Sequence, residues 1–316
     1  MAARARRPLS SEPKARRSTC NPFGDDRAPR APAAGAVAYR CGAKNLRIQR
    51  ALRVTRGGHP PIVLVPGAWL GGWAWRDVAR RLRAAGHDVF PATLTGLGER
   101  VHLAHPQVDL EAHIADIVNL LDYEGLADAT LVGHSYAGIV ITGVADRRPE
   151  RLGALVYLDT SPVPDGFAII DALSAEQRER QERDVREHGD GWRWPVVERE
   201  TLASGMFGSA AGLNDAQLAI IEDRGTAQPY ATFTSRLHLA RTGEAPTYRR
   251  AMIIGTSGGM TAAMLRALIE QGDPRAAALS APDWDLHELA TGHWAMLSSP
   301  DSLAELLHRI AAAAAR

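Results

Sequence analysis

The chain has 316 residues, 45% hydrophobic and 23% charged, with a formal net charge of +1 and a sequence pI near 7.9. These are ordinary values for a globular protein, and they exclude collagen-like, coiled-coil, wholly disordered and membrane-spanning classes. Its two cysteines, Cys20 and Cys41, both lie near the N-terminus, so the rest of the chain offers no thiol catalyst, thiolate zinc site or disulfide framework.

The near-neutral total hides an asymmetry. Residues 1–57 carry 12 Arg and 2 Lys against Glu12, Asp25 and Asp26, a net of +11, which leaves the remainder at −10. This stretch is rich in Ala, Pro and Arg and has no sustained apolar run, so it reads as a disordered basic extension and not as a secretory signal or membrane span. The same composition suits an organelle transit peptide, or a start codon placed upstream of the natural one. No nucleic-acid or membrane partner is expected, and the body is expected to be cytoplasmic.

From residue 60 short apolar runs alternate with amphipathic stretches, the pattern of a mostly parallel α/β sheet. Ile62 to Val65 is a buried strand followed by the turn Pro66-Gly67-Ala68, and Trp75, Val78 and Leu82 mark one face of a helix that Gly86 stops. Asp88 to Phe90 is the next strand. Leu110, Ile114, Ile117 and Leu121 recur at helical spacing, Thr130 to Val132 enters the sheet, and a helix starts near Tyr136. Ala154 to Leu158 forms another strand, ending at Asp159.

The rhythm then breaks. Residues 166–245 hold a charged helix from Ala175 to Gly189 and the aromatics Trp192, Trp194, Phe207 and Tyr230, without clear strands, as an inserted helical cap would. The expected core is therefore 58–165 together with 246–316. Its second part runs through a strand at Met252 to Ile254, a helix from Thr261 to Gln271, a last strand from Trp284 to Leu289 and a terminal helix from Asp301. No internal repeat is present.

A serine on a sharp turn between a strand and a helix can present its hydroxyl above a parallel sheet. Two serines qualify, Ser135 in GHSYAG and Ser257 in GTSGG. Ser257 is the better match to the G-x-S-x-G pattern, but it leaves too little sheet before the histidine that must follow and strands the Pro66 turn far upstream. Ser135 lies two strands beyond that turn, and Ala137 is small enough for close packing of helix on strand. Ser135 is the nucleophile candidate.

A serine at neutral pH needs a base within reach. Of 11 histidines, His293 follows the last strand directly in a short loop, where it can swing over the sheet edge. His134 is expected to pack under the serine turn, and His102 and His105 to be solvated, with no third ligand for a metal. Preorganised N–H donors for an oxyanion are expected from Tyr136, at a helix start, and from Ala68, in the glycine-rich turn after the first strand. Trp69 is expected to line the substrate pocket. No dinucleotide, Walker or zinc pattern is present, and no metal or cofactor is expected.

The segments VPGAWLGGWAW, LTGLGERVHL, GHSYAG, VYLDTSPVPDG and TGHWAMLSSP, in that order, resemble the α/β-hydrolase superfamily, specifically bacterial relatives of the plant methylesterase and hydroxynitrile lyase group. The resemblance covers about residues 60–312. It implies a Ser-His-Asp triad, an oxyanion hole from the Ala68 and Tyr136 N–H groups, a helical cap over an apolar pocket and no cofactor. Hydroxynitrile lyases of that group carry a lysine after the histidine; Trp294 stands here, which favours ester hydrolysis. The family usually places its acid after the penultimate strand, yet Ala245 to Ile269 contains no Asp or Glu. Some members put it one strand earlier, which points to Asp159; Asp165, Asp273, Asp283 or no acid at all stay open.

The expectation is a serine hydrolase cleaving a small or medium apolar or aromatic ester through an acyl-enzyme. A cofactor-free lyase or cyclase and a catalytically silent ligand-binding member are the alternatives. The expected partner is a small-molecule substrate, with a homodimer left open.

Overall fold

The computed structural model describes residues 58–314 apart from Thr242 and Pro282, with the side chains of Pro274 and Arg275 also left aside. The basic extension expected over 1–57 lies outside the described residues.

Six strands form one all-parallel sheet: β1 Ile62–Val65, β2 Val89–Pro91, β3 Ala129–His134, β4 Leu152–Leu158, β7 Arg249–Gly255 and β8 Trp284–Leu289, in the order β2-β1-β3-β4-β7-β8. Helices cover both faces, so the central strands are apolar throughout; all four residues of β1 are fully buried. Ile62 and Leu64 pack with Trp75, Val78 and Leu307 on one side, while Val63 and Val65 pack with Ile114, Ile117 and Val144 on the other. The helical spacing read from Leu110 to Leu121 becomes the buried stripe of the helix Leu110–Tyr123. The stop read at Gly86 is a residue at φ 88, just past the helix Arg76–Ala84.

Strand order reverses about β1. The chain leaves β1 toward β2 on one side and returns to β3 on the other, which opens a crevice at the carboxyl ends of β1 and β3. The Pro66-Gly67-Ala68 turn and Ser135 flank that crevice.

Between β4 and β7 lie the helices Ala175–His188, Arg199–Ala203, Asp215–Arg224 and Ala231–Thr234. Ser174 and Asn214 cap the first and third of these, each reciprocated by a glutamine three residues on. One feature of this connection escapes the sequence pattern. Residues Arg193–Trp194 (β5) pair antiparallel with Gln228–Pro229 (β6). Two residues a side give no alternation to detect.

Among the described residues no helix is long and apolar enough to cross a membrane, and no group of three or more His, Cys, Asp or Glu could hold a metal ion.

Candidate active site

β3 ends at His134, and the helix Ala137–Arg147 begins three residues later. Ser135 bridges them at φ 51, a left-handed conformation that costs a residue bearing a Cβ about 1 kcal/mol or more. The close packing inferred from Ala137 extends to its neighbours. A Cβ on Gly133 would stand 2.8 Å from Ile141 Cδ1, and one on Gly138 would stand 2.6 Å from Thr160 Oγ1. The other candidate serine, Ser257, is exposed in the turn Thr256–Gly258.

The loop after β1 lies directly against the serine turn, since a Cβ on Gly67 would be 3.1 Å from Ser135 Cβ. Neither the Ala68 nor the Tyr136 N–H donates to any acceptor among the described residues. Trp69, next in the loop, is at φ 65 and 4% exposed. Its ring centroid lies 4.6 Å from that of Trp194 and 5.4 Å from that of Phe207.

Asp159 closes β4 at φ 48. Its neighbour in the sheet is β7, so the carboxylate reaches across to that strand's end: Oδ1 accepts from Gly255 N–H at 3.1 Å, and Oδ2 accepts from His293 Nδ1–H at 2.5 Å. Asp159 thus reaches the end of β7, although it comes from the preceding strand. Asp165 instead accepts from Leu239 N–H, Asp283 pairs with Arg250, and Asp273 lies in the turn after the helix Ala262–Glu270.

Burial pushes the Asp159 carboxyl up, but the His293 hydrogen bond and charge, with the Gly255 N–H, outweigh it and hold the group below the usual aspartate value. It is an anion at neutral pH.

Two supports of His293 have no local sequence signal. His134, 1% exposed, donates from Nε2 to the His293 carbonyl at 2.9 Å, with the two rings 4.6 Å apart. Its packing under the turn was legible; its partner, 159 residues away, was not. Gly208 presses on the His293 ring from the β4–β7 connection. It sits at φ 111, and a Cβ there would fall 2.4 Å from His293 Cγ. Backbone bonds complete the clasp: His293 N–H donates to Ser209 at 2.7 Å and Gly292 N–H to Ala211 at 3.0 Å.

Buried neutral histidines make stability depend on pH in one direction. Desolvation lowers His113 to about 4 and His134 to about 3, the latter helped by the nearby His293, and desolvation also lowers His87. In each case the unfolded chain takes up a proton near pH 6.5 while the folded protein does not. The stabilisation is therefore complete above that pH and is lost as pH falls toward the folded values. His113 alone should remove about 3 kcal/mol by pH 4. Urea unfolding measured from pH 8 to 4 should show a plateau and then a steady decline below about pH 6.5; constant stability between pH 7 and 5 would contradict these assignments.

A parallel sheet with a strained serine at the crevice, a histidine held by a carboxylate beyond the last strand and two open N–H groups form a candidate hydrolase site of the α/β type. The chain belongs to the alpha/beta hydrolase family, whose model matches residues 62–306. It is 34% identical over 251 residues to a carbendazim hydrolyzing esterase of Nocardioides sp. (strain SG-4G), covering 78% of this chain and 97% of that protein. It is 30% identical over 117 residues to the putative chloroplastic methylesterase 14 of Arabidopsis thaliana, 36% of this chain and 33% of that one. Among solved structures, an extracellular alpha/beta-hydrolase from a Paenibacillus species superimposes with a TM-score of 0.65 at 19% identity, covering 80% of this chain and 99% of that one. A pyrethroid hydrolase from Sphingobium faniae gives 0.57 at 22% identity, over 80% and 97% of the two chains.

Proposed function

We propose that the protein is a serine esterase that cleaves small or medium apolar or aromatic carboxylic esters through an acyl-enzyme. The observation that carries this reading is the 2.5 Å contact from His293 Nδ1 to Asp159, in a loop tied by the His293 carbonyl to His134, the residue before a serine held at φ 51. With Nδ1–H committed to the carboxylate, Nε2 of His293 is the basic nitrogen.

In this reading Ser135 Oγ attacks the ester carbonyl as His293 Nε2 takes its proton. The tetrahedral oxyanion is received by the Ala68 and Tyr136 N–H groups, the second at a helix N-terminus whose dipole favours negative charge. Collapse returns the proton to the departing alcohol. Water, activated by the same histidine, then attacks the acyl-enzyme and frees the acid and Ser135. The similarity to the Nocardioides esterase over most of both chains supports ester cleavage.

The β4–β7 connection serves as the cap. Its Trp194 and Phe207 pack against Trp69, next to Ala68 in the loop beside Ser135. Those rings support an aryl or branched aliphatic group on the substrate. The lyase or cyclase reading drew on a missing acid, and a carboxylate on His293 removes that motive.

The test is intact mass after exposure to a fluorophosphonate, followed by peptide mapping. A single adduct on Ser135 is expected. A folded protein that takes none, or takes it on Ser257, would end this reading.

A further inference from the structure

Gln228 reaches out of β6 to the loop after β1. It is 0% exposed, and its Oε1 accepts from Trp69 N–H at 3.0 Å. The Trp69 carbonyl in turn accepts from the Thr226 N–H at 2.9 Å and from the Thr226 hydroxyl at 3.3 Å. Both peptide groups of a left-handed residue, next to Ala68, are thus held by residues 226–228.

Gln228 has a second bond. Its amide nitrogen donates to Thr232 Oγ1 at 2.9 Å. The Thr232 hydroxyl donates to the Pro229 carbonyl at 2.7 Å. Separately, the Tyr136 phenol donates to His113 Nδ1 at 2.9 Å, and His113 Nε2–H donates to the Thr95 carbonyl at 2.9 Å. His113, Gln228 and Thr232 are all 0% exposed. Gln228 therefore holds the peptide after Ala68 and is itself held by Thr232.

We propose that Gln228 is a positioning residue that sets the Ala68 side of the oxyanion site through the Trp69 peptide, with Thr232 fixing its amide in place. This rests on the esterase reading above. A left-handed Trp69 has no intrinsic reason to stay where it is, so with Oε1 removed its peptide is free to rotate and carry the Ala68 N–H out of line. An unmet buried N–H would add to the drive to rearrange. Such a shift weakens the transition state more than the bound ester, because the ester's neutral carbonyl draws less on those donors.

The full-length wild type, Gln228→Met and Thr232→Val should be compared for p-nitrophenyl ester turnover, fluorophosphonate labelling rate and inhibition by an aryl trifluoromethyl ketone, which forms an oxyanion on the serine. Gln228→Met keeps the length and apolar bulk but has no acceptor. Its kcat and labelling rate should fall about 10- to 100-fold, with KM within about threefold and ketone affinity falling with kcat/KM. Thr232→Val leaves Oε1 on Trp69 but removes the acceptor that fixes the Gln228 amide nitrogen, so a smaller fall in kcat is expected. An unchanged kcat in Gln228→Met, or a raised KM at unchanged kcat, would overturn the proposal. Should Gln228→Met fail to fold, an unchanged kcat in Thr232→Val would overturn it instead. A wild type that neither labels nor turns over ester would remove the esterase reading, and this proposal with it.

Discussion

His293→Ala should lower ester turnover by about 10⁶-fold, and Ser135→Ala and the double variant should fall by nearly the same factor. The reason is mutual dependence. Without His293 the Ser135 hydroxyl keeps its proton at neutral pH, and without Ser135 the histidine has no attacking oxygen to serve. A residual rate above that of water should survive, because the Ala68 and Tyr136 N–H groups do not need the dyad to bind an oxyanion. The measurement is kcat for a p-nitrophenyl ester with each variant purified to homogeneity and its melting temperature recorded. Additive losses, with the double variant far below either single one, would mean that the two residues act separately.

The second large effect belongs to Asp159→Asn, for which turnover should drop about 10⁴-fold while the melting temperature changes by only a few degrees. An asparagine presents its N–H₂ to His293 Nδ1 and so favours the tautomer with the proton on Nε2, where the base must be empty. The fold should tolerate the change for two reasons. Asparagine accepts the left-handed backbone that Asp159 adopts at φ 48, and the backbone bond from the residue 159 N–H to the Ile253 carbonyl at 2.8 Å is untouched. Undiminished turnover in this variant would take Asp159 out of the machinery.

Most of the sheet was legible because buried parallel strands leave continuous apolar runs. Ile62–Val65 and Trp284–Leu289 have the bounds read from the sequence, and the other four core strands differ from their reading by a few residues at the ends. The brief β5–β6 pairing was not, since two residues carry no period. The site divides in the same way. Ser135 and His293 could be singled out as candidates because the first directly follows a strand and the second lies in the short loop after one, each in a segment of distinctive composition. Asp159 was only one of several acids, because nothing in the order of residues shows that β4 lies beside β7, and that adjacency is what brings its carboxylate to Gly255 and His293. Gln228 and Gly208 were invisible for a stronger version of the same reason. Their partners Trp69 and His293 lie far off in the sequence, and an isolated glutamine or glycine in an irregular segment has many ordinary explanations.

The clasp between residues 208–211 and the histidine loop bears on how this enzyme can be re-engineered. Added carbon at Gly208 would meet the imidazole, and added carbon at Gly292 would fall 2.1 Å from the Ser209 carbonyl. Chimeras that exchange the β4–β7 connection between relatives should therefore carry the donor's histidine loop along with that connection. A graft that splits this pair would join two halves never matched to each other, and the mismatch would be felt first at His293.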